Sequence, residues 1–248
     1  MPRYFLEVSY KGTNYSGFQV QKNANTIQAE VEKALAVLQR KKIDLTGSSR
    51  TDAGVHALQN FFHFDIDGSL TSRIVYKINA ILPPDIVAQK LIPMAADAHC
   101  RFDALSREYK YFIYRHKDPF LNDRAFYFPY KLNFELMHKG GELVKAYSDF
   151  TSFSKRKTQA KTFQCNVTES HWDCERNPLV FHIRANRFLR GMVRALVATM
   201  LKLGRGKITL DEFVEIIESR DNTKADFAVP AHGLFLTRIN YPEAYFME

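Results

Sequence analysis

The sequence predicts an α/β (α+β) protein built from two similar halves that share one mainly antiparallel sheet. Both halves open with an aromatic and β-branched run, residues 4–10 and 109–115, that is typical of a strand. Amphipathic helical segments alternate with further strands along the chain. The phosphate-binding patterns G-x-G-x-x-G and G-x-x-x-x-G-K-[ST] do not occur, which argues against a dinucleotide-binding fold.

In the first half, the strand over residues 4–10 precedes a helix that we expect to begin after Asn25-Thr26. The apolar residues of this helix recur at helical spacing: Ile27, Val31, Leu35 and Leu38. A small-residue loop over 47–49 leads into a strand with alternating Phe62, Phe64 and Ile66. A helix over about 72–81 is stopped by two prolines, because proline cannot continue a helix.

The second half repeats this style after a break near residues 102–107, so we divide the chain into 1–103 and 104–248. Its strand is followed by a helix over 133–147, although Gly140-Gly141 costs it about 1 kcal/mol per glycine. The later elements are a hairpin (163–172 and 179–185), a long helix (187–203) capped by Asn186, a helix opened by a Thr209/Glu212 capping box, and a strand (234–239).

Composition and charge describe a globular chain with a basic surplus. The 248 residues include 35 Lys+Arg against 27 Asp+Glu, a formal charge of +8, and 46% are apolar. These values exclude a disordered, collagen-like or coiled-coil protein, and no apolar run reaches the ~18 residues of a membrane span. Glu7 interrupts the region where a secretory signal needs an apolar stretch, so we expect a soluble, cytoplasmic protein. The surplus suits a nucleic-acid partner or a solubilising surface.

The predicted hairpin carries four side chains of types that bind zinc: Cys165, His171, Cys174 and His182. Pairing through its turn sets His171 opposite His182. Structural zinc sites normally hold their cysteines in C-x₂₋₄-C knuckles, and the sequence has none. The three cysteines also lack the spacing of a disulfide framework, which fits a reducing compartment. We therefore interpret the four as ordinary strand residues and expect no metal.

Candidate chemistry lies first in the loop over residues 48–56, where Arg50 and Asp52 stand among small, turn-forming residues. A carboxylate with small neighbours can approach a ligand closely, and an arginine beside it can hold a phosphate or stack on a base. A surface turn explains the same residues.

Three further groups have both a structural and a binding interpretation. Arg187, Arg190 and Arg194 step by three and four, which on one helix gives a basic stripe or a solvated face. Arg107, Tyr109 and Tyr111 alternate on one strand face, suited to base stacking or to core packing. The charged loop over residues 154–161, with Lys155 and Lys161, is a plausible phosphate contact.

The order of these blocks resembles the TruA family of tRNA pseudouridine synthases over nearly the whole chain. The resemblance rests on the run Y-K-G-T-N-Y-S-G-F-Q at residues 10–19 and on R-T-D-A-G-V-H-A at 50–57. Further matches are H-C-R-F at 99–102, R-E-Y-K-Y at 107–111, D-F-T-S-F at 149–153, M-V-R at 192–194 and G-L-F-L at 233–236.

The resemblance implies the pseudouridine synthase fold, with a basic cleft between its halves, and a homodimer that needs no cofactor or metal. It implies isomerisation of uridine to pseudouridine in the tRNA anticodon stem-loop, at tRNA positions 38–40. Asp52 matches the catalytic aspartate, Tyr109 the tyrosine that packs on the base, and Arg194 the arginine that pairs with the aspartate. Arg50 matches the residue that helps to flip the nucleotide. Further RNA contacts fall on His99, Arg101, Phe102, Lys155, Lys161, Arg187 and Arg190.

Several positions depart from the family pattern. Ser49 and Phe18 stand where the family usually has Gly and Trp, and Gly191 and Ala198 also differ. Because Ser tolerates fewer backbone angles than Gly, Ser49 could alter the loop that presents Arg50. Two alternatives therefore stay open: a non-catalytic RNA-binding protein of synthase ancestry, and a synthase that acts on another RNA.

Overall fold

A computed structural model describes residues 1–156, 158 and 160–246 of the chain. Lys157 and Gln159, which belong to the predicted phosphate-contacting loop, lie outside the described residues. The chain forms two compact units: unit 1 comprises Met1–Leu105 together with the segment from Phe235 onward, and unit 2 comprises Ser106–Leu234.

Each unit combines helices with a mainly antiparallel sheet, so the predicted fold class is confirmed. In chain order the strands are β1 (Arg3–Tyr10), β2 (Thr46–Gly47), β3 (His56–Asp65), β4 (Ile86–Met94), β5 (Ser106–Tyr114), β6 (Phe126–Tyr127), β7 (Val167–Asp173), β8 (Leu179–Ala185) and β9 (Leu234–Asn240). The helices are α1 (Ile27–Gln39), α2 (Arg73–Asn79), α3 (Phe134–Val144), α4 (Met192–Gly204) and α5 (Leu210–Glu218).

In unit 1, β1 lies at the centre and pairs antiparallel with both β3 and β4. β2 pairs antiparallel with the later part of β3, near Phe62 and His63. β9 pairs parallel with the start of β3, where His56 lies beside Phe235. The predicted strand is confirmed as β3, and its alternating residues Phe62, Phe64 and Ile66 are buried, but residues 60, 61 and 63 are buried as well. The Phe62 ring stacks on Phe18 at 4.6 Å, and the ring of Tyr241 meets Phe61 at 5.3 Å. Rings from other segments therefore cover both faces of the strand.

In unit 2, β8 lies between β5 and β7 and pairs antiparallel with both, while β6 pairs parallel with β5. α4 is the central helix of this unit, since most of its length is buried. α3 and α5 pack beside it, and α3 also contacts β7. The predicted hairpin, the α5 capping box and the closing strand are confirmed.

The long helix begins later than the sequence pattern predicts. It starts at Met192 after Gly191, whose φ of +76° is a left-handed conformation that favours glycine. The expected cap at Asn186 is wrong. The Asn186 side chain instead accepts a hydrogen bond from the Asn166 N–H at 2.8 Å, next to the hairpin. Of the predicted arginine stripe, only Arg194 is helical, and Arg187 and Arg190 lie in the turn before α4.

The strand β4 was not predicted from the sequence. Only Ile86 and Ala88 of this strand are buried, and it contains Pro93, which interrupts the apolar pattern. Proline is tolerated because β4 has a paired neighbour on one side only, β1, and lies at the edge of the unit 1 sheet. No helix among the described residues combines the length and the apolar composition needed to cross a bilayer.

Candidate active site

The loop between β2 and β3 presents Asp52 on a tight turn. The Val55 N–H donates to the Asp52 carbonyl at 3.2 Å, and Gly54 takes a φ of +78° that closes the turn. The Asp52 side chain is half-buried and that of Arg50 is exposed. The surface-turn interpretation of this loop is therefore correct, and the turn is what presents the carboxylate.

A buried asparagine holds the start of this loop. Asn60 is fully buried in β3, and its Oδ1 accepts the Ser49 N–H at 3.2 Å and the Phe61 N–H at 2.9 Å. Its Nδ2 donates to the Ser49 carbonyl at 2.8 Å and to the Tyr10 hydroxyl at 3.1 Å. Two of these four hydrogen bonds hold the loop at Ser49, and the other two tie the amide to β3 and β1. Breaking any of them would leave a buried polar group without its hydrogen bond, so the start of the loop has little freedom.

The segment after β1 holds the loop from its other side. The Tyr10 and Thr51 hydroxyls are hydrogen-bonded at 2.8 Å, and the Phe18 N–H donates to the Thr51 carbonyl at 3.1 Å. A Cβ on Gly12 would lie 2.0 Å from the Val55 carbonyl oxygen, so only glycine fits there. The two most specific sequence blocks, residues 10–19 and 50–57, are therefore packed against each other around Asp52.

The two departures near this loop are accommodated by packing. Among the described residues, the non-glycine residues with positive φ are Asn23, Arg40 and Arg220, so Ser49 does not use the backbone angles that favour glycine. Phe18 is 1% exposed and stacks inside the core. The concern that Ser49 distorts the loop has no support in its backbone.

Four of the expected RNA-binding residues line one cavity of unit 1. The cavity has a volume of about 210 Å³, and its lining includes Arg50, His99, Arg101 and Phe102. The Phe102 ring is 73% exposed, and the Arg101 guanidinium lies 5.7 Å from its centroid. An exposed ring beside two arginines suits stacking of a base and contact with a phosphate.

His99 shapes the segment that carries this ring. Its ring Nδ1 accepts hydrogen bonds from the backbone N–H groups of Arg101 and Phe102, at 3.1 and 3.3 Å. The backbone N–H of His99 donates to Asp103 Oδ2 at 2.5 Å. Burial lowers the pKa of His99, which keeps the ring neutral and able to accept. His99 is thus a structural support for Phe102 as well as a lining residue.

Tyr109 and Arg194 lie in unit 2, and each side chain contacts a neighbouring group that orients it. Tyr109 is half-buried on β5, and the Phe188 ring meets it edge-on at 5.0 Å and 82°. The Arg194 guanidinium donates from Nε and Nη2 to the Val229 carbonyl, at 3.0 and 2.7 Å. Tyr111, in contrast, is fully buried and donates to the Pro230 carbonyl at 2.8 Å, so it is a core residue.

The basic loop and the turn before α4 come together in unit 2. The Lys155 N–H donates to the Arg190 carbonyl at 2.9 Å, and the Lys155 stem packs where a Cβ on Gly191 would lie, 3.0 Å from Lys155 Cγ. Arg190 and Lys161 are exposed, and Arg187 is half-buried. Gly191 therefore allows the loop to approach the turn, which gives a physical reason for this departure from the family pattern.

Three supporting residues were not predicted from the sequence. Asn60 stands beside Gln59 at the start of the run N-F-F-H-F in β3, and nothing in the sequence shows which of the two amides is buried. Phe188 lies within the helix predicted over 187–203, and its contact with Tyr109 depends on the turn that replaces the first residues of that helix. The carbonyl of Val229 carries no sequence signal, because any residue type supplies one.

An α/β protein that presents an aspartate on a tight turn, and whose same unit has a cavity lined by arginines and an exposed aromatic ring, has the features of an enzyme that acts on nucleic acid. A family model described as tRNA pseudouridine synthase matches residues 7–103 and 147–242. The chain is 44% identical to the tRNA pseudouridine synthase A of Parabacteroides distasonis, over 99% of this chain and 98% of that protein. It is 42% identical to that of Porphyromonas gingivalis over 100% of both chains, and 38% identical to that of Acetivibrio thermocellus over 95% and 98%.

The chain therefore belongs to the tRNA pseudouridine synthase family, and its architecture is that of the pseudouridine synthase fold. It is an isomerase that converts uridine to pseudouridine in tRNA.

Proposed function

We propose that this chain modifies uridines in the anticodon stem-loop of tRNA, at positions 38–40, and that Asp52 initiates cleavage of the bond between base and sugar. The observation that carries the proposal is the hydrogen-bonded loop that presents Asp52, in which Tyr10 bonds the Thr51 hydroxyl and Asn60 bonds the Ser49 backbone. The carboxylate can attack the sugar or remove a sugar proton, and both routes need its ionised form. The released uracil then rotates and rejoins the sugar through carbon.

Three residues are proposed to prepare the reaction. Arg50 is exposed two residues before Asp52 and helps to flip the target nucleotide out of the stack, because a stacked uridine hides its glycosidic bond. Tyr109, supported by Phe188, packs on the extruded base. Arg194, oriented by the Val229 carbonyl, provides the cation that keeps the Asp52 carboxylate ionised.

The remaining predicted residues are proposed to hold the RNA backbone and neighbouring bases. His99, Arg101 and Phe102 line the unit 1 cavity. The cations of unit 2 supply phosphate contacts, which position the RNA without reading its sequence: Lys155, Lys161, Arg187 and Arg190. Residues 1–103 then carry the aspartate, and 104–248 the tyrosine and the basic turn.

We further propose that the enzyme acts in the cytoplasm as a homodimer, without a cofactor. Each chain has a mass of 28.7 kDa, and sedimentation equilibrium of the purified protein tests the dimer.

The experiment incubates purified protein with unmodified tRNA transcripts and maps pseudouridine at nucleotide resolution. We expect product at positions 38–40 with the unsubstituted chain. Asp52→Asn removes the charge but keeps the shape, and we expect it to lower the rate by at least about 10³-fold while tRNA still binds. Asp44→Asn is the matched control, because Asp44 is a carboxylate whose side chain is 82% exposed and paired with Lys42.

Each other outcome has a definite meaning. Turnover by Asp52→Asn would overturn the role of Asp52. Tight tRNA binding without product would favour a non-catalytic RNA-binding protein, and product on ribosomal RNA alone would favour a synthase for another RNA.

A further inference from the structure

The polar face of the β7–β8 hairpin gathers three side chains that bind metals. Glu169, His171 and His182 each offer one ligand atom, and these atoms all lie within 4.8 Å of one another. His171 and His182 are paired in register, and their rings are stacked with centroids 4.6 Å apart and planes 8° apart. The neighbouring Trp172 and Phe181 are buried, so the imidazoles occupy the face opposite the core.

We propose that Glu169, His171 and His182 form a binding site for one divalent transition-metal ion of the Zn²⁺ type, separate from the active site. Two imidazoles and one carboxylate form a ligand set that zinc uses in proteins, with a fourth position open to water. The proposal does not depend on the identity of the RNA substrate, because none of the three residues belongs to the proposed catalytic or RNA-binding sets.

The distances are close to those that coordination needs. Ligand bonds of about 2.0–2.2 Å in a tetrahedron place ligand atoms about 3.3–3.6 Å apart. His171 Nδ1 and Glu169 Oε1 are already 3.5 Å apart. The longest separation, up to 4.8 Å, closes by tilting the two imidazoles, and the His171 side chain is 43% exposed and has room to turn.

Arg184 already orients the Glu169 carboxylate. Arg184 Nη2 lies 3.1 Å from Glu169 Oε2, and Arg184 Nε lies 2.9 Å from Glu108 Oε1. Glu169 can therefore give Oε1 to a metal while Oε2 stays on Arg184, and such outer partners commonly fix metal ligands. Glu108 also pairs with Arg184 and balances its positive charge, so Arg184 repels an incoming cation less strongly.

A cation faces the site from the neighbouring strand. Lys110 lies opposite His182 in register on β5, so its positive charge weakens the binding of a metal ion.

The site differs from the four-residue zinc set considered in the sequence. The expected pairing of His171 with His182 is confirmed. Cys165 and Cys174 are not part of the ligand group found among the described residues, and Glu169 takes their place. The carboxylate was not recognised in the sequence because it is two residues from His171 on the same strand face, a spacing that many solvated strands share.

The test titrates tag-free protein with Zn²⁺ by calorimetry and with Co²⁺ by absorption spectroscopy. We expect one ion per chain and Co²⁺ visible bands of a four-coordinate site. His171→Ala and His182→Ala should each weaken binding at least about tenfold, and Glu169→Gln should also weaken it. Lys110→Gln should tighten it, because a neighbouring positive charge is removed.

His116→Ala is the control, since His116 is an exposed imidazole outside the cluster. It should bind as tightly as the unsubstituted chain. Circular dichroism verifies that each variant is folded. If either alanine variant is unfolded, the glutamine variant at the same position, His171→Gln or His182→Gln, replaces it. The proposal is overturned if the chain shows no saturable site, or if folded His171 and His182 variants bind Zn²⁺ unchanged.

Discussion

Asn60 illustrates how much a single buried residue decides at the active site. Its side chain makes four hydrogen bonds, two of them to the backbone of Ser49 at the start of the Asp52 loop. The proposed catalytic residue, Asp52, supplies only a carboxylate, whereas the placement of its loop needs an amide that is both donor and acceptor. A residue three positions beyond the nearest recognised motif, which ends at Ala57, therefore holds the loop on which the proposed chemistry depends.

His63 makes a residue-scale prediction about pH. It is 7% exposed, and its Nδ1 accepts the Cys100 N–H at 3.3 Å. Burial, with the charges of His99 and Arg3, lowers its pKa to about 4, against about 6.5 in an unfolded chain. Between these values the unfolded state binds more protons, so stability falls as pH drops from about 6.5 towards 4. At about pH 5 this loss is on the order of 2 kcal/mol.

The measurement is urea unfolding at about pH 7.5 and about pH 5, for the unsubstituted chain and for His63→Phe. The variant should lose less stability on acidification, whatever its stability at pH 7.5, because phenylalanine does not titrate. Equal losses in the two proteins would contradict the prediction.

At the scale of elements, the paired glycines of α3 show why local propensity misleads. Gly140 and Gly141 are both buried, and they weaken an isolated helix. In the fold, a Cβ on Gly140 would lie 2.8 Å from Leu203 Cδ2 on α4, whereas on Gly141 the nearest atoms, in β7, are 3.6 Å away. Gly140 thus permits close packing of two helices, and Gly141 leaves room for a methyl group.

We predict opposite effects on stability at these neighbouring positions. Gly141→Ala should raise the free energy of unfolding by about 0.5–1 kcal/mol, because alanine favours the helix and its Cβ makes ordinary contacts. Gly140→Val should lower it by about 1–3 kcal/mol through overpacking against α4. Urea unfolding of the two variants measures both, and a destabilised Gly141→Ala would show that β7 cannot accept the added carbon.

Similar reasoning explains the late start of α4. Helical periodicity continues back to residue 187, but Asn186 is bound to Asn166 and Gly191 is left-handed. Tertiary contacts override the periodicity, and they place Phe188 against Tyr109.

At the scale of the whole molecule, the formal charge of +8 predicts RNA binding that weakens with salt. Arg101→Ala, tested in an Asp52→Asn background to prevent turnover, should reduce the slope of log affinity against log salt by about 0.7–0.9. Fluorescence anisotropy with labelled tRNA, from about 50 to 200 mM salt, measures the slope. Lys42→Ala is the control, since Lys42 is paired with Asp44. An unchanged slope for Arg101→Ala would remove that residue from the phosphate contacts.

The sequence by itself determined the α/β class, most helices and strands, the family, and the order of the motifs around Asp52. These follow from local periodicity, capping residues and short specific strings, which are all read along the chain. The tertiary structure decided which groups contact those residues. Asn60 is hydrogen-bonded to the Asp52 loop, the Val229 carbonyl accepts from Arg194, and the Phe188 ring packs against Tyr109. It also placed Glu169 beside His171 and His182. Such contacts join residues that are far apart in sequence or use backbone groups that every residue shares, and so only folding brings them together.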